Sequence, residues 1–224
     1  YTKQLCMSKQ DHIIKKYYTI LDFFGCEIEE IDFHPRIVKK NYPYEYTILR
    51  NIPIGKKIVG IDLGNRHCES TIPFEILIPI INYLKNHSVK VVLFAKHEDA
   101  IADLLEKTDN YPVFLQGRFA SLRDAMIHLD LFIGSDNNGL LHLAAALDIP
   151  SIGMYGPMLS ETTAPISKDL YIFEKELGCR PCKDEKKCHK KLKCFHDISN
   201  RKVIERIKKV LKIHNYAYEC VKNE

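Results

Sequence analysis

The sequence predicts an α/β fold: a doubly wound parallel sheet flanked by helices. Three observations carry this expectation. Short apolar runs at Lys57–Leu63 (KIVGIDL), Val89–Ala95 (VKVVLFA), Leu131–Ser135 (LFIGS) and Pro150–Tyr155 (PSIGMY) lack apolar–polar alternation, so both faces of each strand are buried. Segments with helical apolar spacing separate these runs, which is the pattern of strands crossed over by helices. Right-handed crossovers then wind such a sheet in both directions.

Taken in order, the first element is a helix over Asp11–Phe24. Its apolar positions Ile13, Ile14, Tyr17, Tyr18, Leu21 and Phe24 recur at three- and four-residue steps, and Gly25 stops it. A polar stretch containing proline reads as linker to Lys56, with room for one short strand. After the strand at Lys57–Leu63 comes a helix over Pro73–Lys85, in which Pro79 predicts a kink. The strand at Val89–Ala95 leads to a helix over His97–Lys107, a short strand at Pro112–Leu115 and a helix over Ser121–His128. Leu131–Ser135 then leads into a small-residue helix over Gly139–Leu147. Pro150–Tyr155 follows, and Leu170–Phe173 reads as a sixth strand. The organisation is therefore a helix and linker over 1–56, a sheet domain over 57–176 and a cysteine-bearing segment with a basic helix over 177–224.

At 224 residues, with 46% apolar and 28% charged residues, the composition excludes long disorder and collagen-like repeats. No apolar run reaches the roughly 18–20 residues that span a bilayer. The net charge of +4 is uneven. From Arg180 to Lys212, 13 Lys and Arg stand against 4 Asp and Glu, which leaves the rest of the chain net acidic. Such a basic segment suits an anionic partner or a solvated face equally well.

Ligands of doubly wound sheets bind beyond the carboxyl ends of the strands, which directs attention to the loops there. Gly64, Asn65, Arg66 and His67 follow the first strand and can offer N–H groups and a cation to phosphate. Lys96 and Glu98 open the next helix; a carboxylate there either complements the helix dipole or accepts from ribose hydroxyls. Asn137, Asn138 and Gly139 expose the N–H groups of the following helix, and His142 lies one turn in. His142 is otherwise read as a satisfied core histidine.

Cys6, Cys26, Cys68 and Cys220 are scattered, whereas Cys179, Cys182, Cys188 and Cys194 fall within sixteen residues as Cys-x2-Cys-x5-Cys-x5-Cys. Four close thiolates suit a structural zinc or iron ion. Two disulfides or reduced thiols are the plainer alternatives. Asn200 caps a final helix to Ile213, with Val203, Ile204, Ile207, Val210 and Leu211 on one stripe and cations on the rest.

The run Phe132–Pro150 (FIGSDNNGLLHLAAALDIP), followed by Met154–Pro157 (MYGP), resembles the donor-binding signature of glycosyltransferase family 9, the ADP-heptose:lipopolysaccharide heptosyltransferases. Leu115-Gln116-Gly117 with Ser121-Leu122, the His97-Glu98 helix opening and the cysteine-bearing tail fall in the family's order. Asn137 and Asn138 stand where the family has Asp and Thr. Ser70-Thr71-Ile72-Pro73 stands where it has Lys before Trp-Pro, so Arg66 or His67 would neutralise phosphate instead.

The resemblance covers the second, Rossmann-like half of a two-domain GT-B glycosyltransferase. It implies sugar transfer from a nucleotide sugar such as ADP-heptose to a lipopolysaccharide core or other saccharide acceptor, with no catalytic cofactor. It also implies a cytoplasmic enzyme, and the cations of the final helix suit either peripheral contact with the anionic inner membrane or a solvated face. The catalytic base and acceptor site belong to the first half of such enzymes, so this chain alone is expected to bind donor without turnover. No Asp-x-Asp pair, the usual holder of a catalytic metal, stands at a strand end. Two rival readings are a nucleic-acid-binding module built on the cysteine knot and basic helix, and a different nucleotide-sugar enzyme of the epimerase type.

Overall fold

Alternation along each strand sends neighbouring side chains to opposite faces, and here both faces are covered. In this computed structural model, which describes residues 11–26, 52–53, 55–63, 71–95, 101–117, 119–136, 139–182, 188 and 190–213, the strands are β1 (Ile58–Asp62), β2 (Lys90–Phe94), β3 (Val113–Leu115), β4 (Leu131–Ser135), β5 (Ser151–Tyr155) and β6 (Leu170–Glu174). They form one six-stranded sheet in the order β3-β2-β1-β4-β5-β6, every neighbouring pair parallel. The helices are α1 (Ile13–Phe23), α2 (Phe74–Asn86), α3 (Ala102–Lys107), α4 (Phe119–Met126), α5 (Gly139–Ala146), α6 (Ser160–Thr163), α7 (Lys193–His196) and α8 (Asn200–Leu211).

One face of the sheet presents Val59, Ile61, Val91, Leu93, Leu131, Ile133, Ile152 and Met154. They pack with Ile76, Leu77, Ile80, Ile81 and Leu84 of α2, and with Phe195, Val203, Ile207 and Leu211 of α7 and α8. The other face presents Val92, Phe94, Phe132 and Tyr155 against α4 and α5. The apolar stripe of α8 thus turns inward onto α2 and β4. Its cap is Ser199, whose hydroxyl accepts from Lys202 N, one residue earlier than the Asn200 the sequence suggested.

Other boundaries differ for local reasons. Helix α2 runs through Pro79, which is exposed, so water can reach the Glu75 carbonyl that loses its helical donor. Helix α4 starts at Phe119, two residues before the expected Ser121. The α1 stripe forms the predicted helix but buries nothing: Tyr17 is 60% and Phe24 74% exposed.

The crossing between the two halves of the sheet is pinned by Asp130. Its Oδ2 accepts from Ile58 N at 2.8 Å, and its Oδ1 from Lys57 Nζ at 2.7 Å. Lys57 is half exposed and its pair is worth little, so Lys57→Ala should cost less than about 1 kcal/mol. Asp130→Ala also removes a charged acceptor from the β1 backbone and should cost about 1–2 kcal/mol. Urea unfolding of the two variants checks this ordering; equal losses would contradict it.

Candidate functional site

Strand order reverses between β1 and β4, whose carboxyl ends therefore flank a crevice. Buried carboxylates stand at both lips: Asp62 ends β1 and Asp136 follows β4, at 2% and 1% exposure. Asp62 carried no motif that a sequence reading could use. The segments holding Gly64, Asn65, Arg66, His67, Lys96, Glu98, Asn137 and Asn138 spring from β1, β2 and β4, three neighbouring strands. Those eight residues themselves lie outside the described ones.

Gly139 and His142 are described, and α5 explains their significance. Leu140, Leu141, Leu143, Ala144, Ala145 and Ala146 are all buried, leaving Gly139 and His142 as the exposed positions of the helix. Glycines let α5 lie close on the sheet. A Cβ on Gly153 would meet Leu141 Cδ2 at 3.3 Å, and one on Gly134 would meet Leu141 Cβ at 3.4 Å. A helix fixed this tightly holds its N-terminus, and the histidine one turn in, at the mouth of the crevice.

The backbone of Thr163, at the end of α6, lies near enough to the His142 ring to favour its protonated form. Loss of water around the ring, and then the nearby charge of His12, hold it below the ordinary value of 6.5; the Thr163 backbone opposes them. His12 grips the next carbonyl, with Nε2 2.8 Å from Ala164 O, while its Nδ1 accepts from Ile14 N at 3.3 Å and so caps α1. With Nδ1 taken by the Ile14 N–H, Nε2 is the ring nitrogen left for the Ala164 carbonyl. Sequence reading missed this cap because histidine is not among the usual capping residues.

Asp136 turns its carboxylate toward the strand beside it. Oδ2 accepts from Met158 N at 2.7 Å, so the turn after β5 is tied to the entrance of the Asn137–Asn138 loop.

Cys179, Cys182, Cys188 and Cys194 line one small pocket, together with Pro157, Leu177, Arg180, Lys190, Leu192 and Lys193. None of the four is joined in a disulfide. Among the described residues no three metal-ligating groups are gathered tightly enough to hold an ion as they stand. Burial, and secondarily the neighbouring Cys188, push the Cys194 thiol up to about 11. Arg180 and Leu177 also line an open cleft of about 400 Å³, with Leu159, Glu161, Glu174, Glu176 and Gly178.

Comparison with known proteins places these features. The family model described as "Glycosyltransferase family 9 (heptosyltransferase)" matches residues 7–193. Lipooligosaccharide heptosyltransferase 2 of Campylobacter jejuni serotype O:2 is 24% identical over 219 residues, covering 91% of this chain and 65% of its own length. The glycosyl transferase family 9 structure from Veillonella parvula superposes with a TM-score of 0.67 at 19% identity, over 94% of this chain and 62% of that one. The E. coli heptosyltransferase WaaC with ADP gives 0.61 at 17% identity, over 94% of this chain and 60% of its own. The chain thus spans under two thirds of each of these relatives.

Proposed function

Since the chain belongs to glycosyltransferase family 9, we propose that it forms the donor-binding half of a heptosyltransferase. It would take ADP-heptose, or a similar nucleotide sugar, for transfer to a saccharide acceptor of the lipopolysaccharide core. The observation that carries this reading is α5: a buried helix whose exposed residues, Gly139 and His142, stand at the crevice where the sheet reverses.

In the transfer, the bond from the sugar C1 to the diphosphate oxygen breaks while the acceptor hydroxyl bonds to C1. ADP leaves with the electron pair, and the hydroxyl proton passes to a general base. Stabilising the leaving diphosphate is the task of the residues here. N–H groups at Asn138 and Gly139, the His142 ring and the cations of Gly64–His67 act on the phosphates, and Glu98, with Lys96 beside it, holds the ribose. These groups supply donors and positive charge without a metal at the reaction centre.

Calorimetric titration with ADP, UDP and GDP tests the reading. Binding of ADP by the chain, with weaker binding of the other two, supports it; equal binding of all three, or of none, overturns it.

By the chemistry of its donors the cysteine pocket would suit a structural zinc or iron ion once the four thiols are drawn together. Four soft thiols face Arg180, Lys190 and Lys193, whose charges would offset thiolates. Because the Cys194 thiol holds its proton well into the alkaline range, metal must displace that proton. Zinc uptake should therefore strengthen as pH rises from 6 to 8. Elemental analysis at the two pH values checks this, and no bound metal at either would discard the site.

The outward cations of α8, including Arg201, Lys202 and Lys209, with Lys212 at its C-cap, suit peripheral docking on the anionic cytoplasmic face of a membrane. Among the described residues no helix is long and apolar enough to cross one. Co-sedimentation with anionic but not neutral vesicles, abolished by salt, is the expected result; sedimentation with neither would leave α8 a solvated face.

A further inference from the structure

Arg180 reads in the sequence as one cation of a basic segment. In the fold its side chain is only 4% exposed, and its guanidinium is shared among three acceptors. Nη2 donates to the Met158 carbonyl and, at 2.8 Å, to Glu174 Oε2; Nη1 donates to the Lys175 carbonyl. Each of the first two contacts begins a chain of bonds leading toward α5.

The shorter chain crosses a single peptide unit. Arg180 holds the Met158 carbonyl while the Met158 N–H donates to Asp136 Oδ2, at the entrance of the Asn137–Asn138 loop. The main chain adds a parallel tie, since Cys182 N donates to the Pro157 carbonyl at 2.9 Å. The longer chain passes through Glu174, whose Oε1 accepts from Ser160 Oγ at 2.7 Å and whose Oε2 accepts from Ser160 N at 3.4 Å. Ser160 opens α6, and α6 ends at Thr163, whose backbone lies near the His142 ring. Arg180 is therefore linked to Asp136 through Met158, and to α6, beside His142, through Glu174.

We propose that Arg180 is a positioning residue for the donor site, fixing the entrance of the donor loop through Met158 and Asp136 and its exit through Glu174 and α6. It does not touch the nucleotide itself. A buried charge with several acceptors is suited to this role, because removing it leaves carbonyls and a carboxylate without their donor and loosens every element they belong to. The inference rests on the donor-site reading above, so its test has one readout that needs no ligand.

Hydrogen exchange of the ligand-free chain is followed by mass spectrometry in the wild type, Arg180→Met and Arg180→Lys. In the Met variant, amides of 139–146 and 156–163 should exchange about tenfold faster, while β1 and β2 keep their wild-type rates. The Lys variant retains a cation for Glu174, so exchange at 160–163 should return toward wild type while the 156–158 turn stays fast. A rise confined to 174–182, or one spread evenly over the sheet, overturns the proposal. ADP titration separates the two readings. A wild type that takes up no ADP refutes the donor site, whereas a wild type and a Met variant that bind ADP equally refute the positioning role alone.

Discussion

Phe195→Ala should cost about 3–5 kcal/mol, a large share of the 5–15 kcal/mol that a domain of this kind possesses. The ring is fully buried on α7 and lies against the turn after β5. A Cβ placed on Gly156 would sit 2.2 Å from Phe195 Cε2 and 2.5 Å from Cζ, closer than carbon atoms approach one another. Glycine and ring therefore fill a single space between them. Gly156→Ala in the wild type should cost about 1–3 kcal/mol by overpacking. In the Phe195→Ala background, where the ring's volume is vacant, the same change should be nearly neutral. Urea unfolding of the two single variants and the double variant measures this coupling; additive losses would mean that the ring and the glycine do not share one space.

His142→Ala should weaken ADP binding by about 10- to 100-fold at pH 6, the value of one or two charge-assisted hydrogen bonds. The pH dependence follows from the ring's environment. Desolvation and His12 hold the free ring below 6.5, so it is neutral in the unliganded chain at pH 7. A bound diphosphate favours the protonated ring and raises its pKa. Binding then takes up a proton wherever the pH lies between the free and bound values. Affinity should climb as pH falls from 8 through the neutral range and level off below the free value. The alanine variant should show a flatter profile, and calorimetry at pH 6 and 8 in buffers of different ionisation enthalpy reports both affinity and proton uptake. Folding runs in the opposite direction. A histidine depressed in the folded state contributes stability that is full above 6.5 and declines as pH falls toward its folded value. Acid thus strengthens binding while weakening the fold.

What the sequence conveyed depended on whether the physics was periodic. Strands buried on both faces leave unbroken apolar runs, and β1, β2, β4 and β5 were legible from them to within a residue or two. The stripe of α8 was equally clear, since Val203, Ile207 and Leu211 recur at four-residue steps and are buried. For α1 the same kind of stripe gave the helix but not its surroundings, because spacing says nothing of what lies opposite. The cysteine spacing gave the common pocket, though not the separation of the thiols within it. Arg180 was illegible for another reason. Two of its three acceptors are backbone carbonyls, which every residue has, so no residue type at Met158 or Lys175 could announce them. The same holds for the His142 and His12 contacts with α6.

The strand order has a consequence for how the chain comes to be assembled. Synthesis proceeds from β1 outward to β3 before the chain returns to place β4 on the other side of β1. The bond from Ile58 N to Asp130 that seals this seam joins residues 72 apart. Until the ribosome has released that length, β1 presents an open edge of backbone donors and acceptors flanked by Val59 and Ile61, the type of edge that recruits foreign strands. The lid over the same face, α8, is translated later still. Throughout that interval the nascent chain carries an open sheet edge, so mutations that slow the arrival of β4 should lower yield without altering the finished protein.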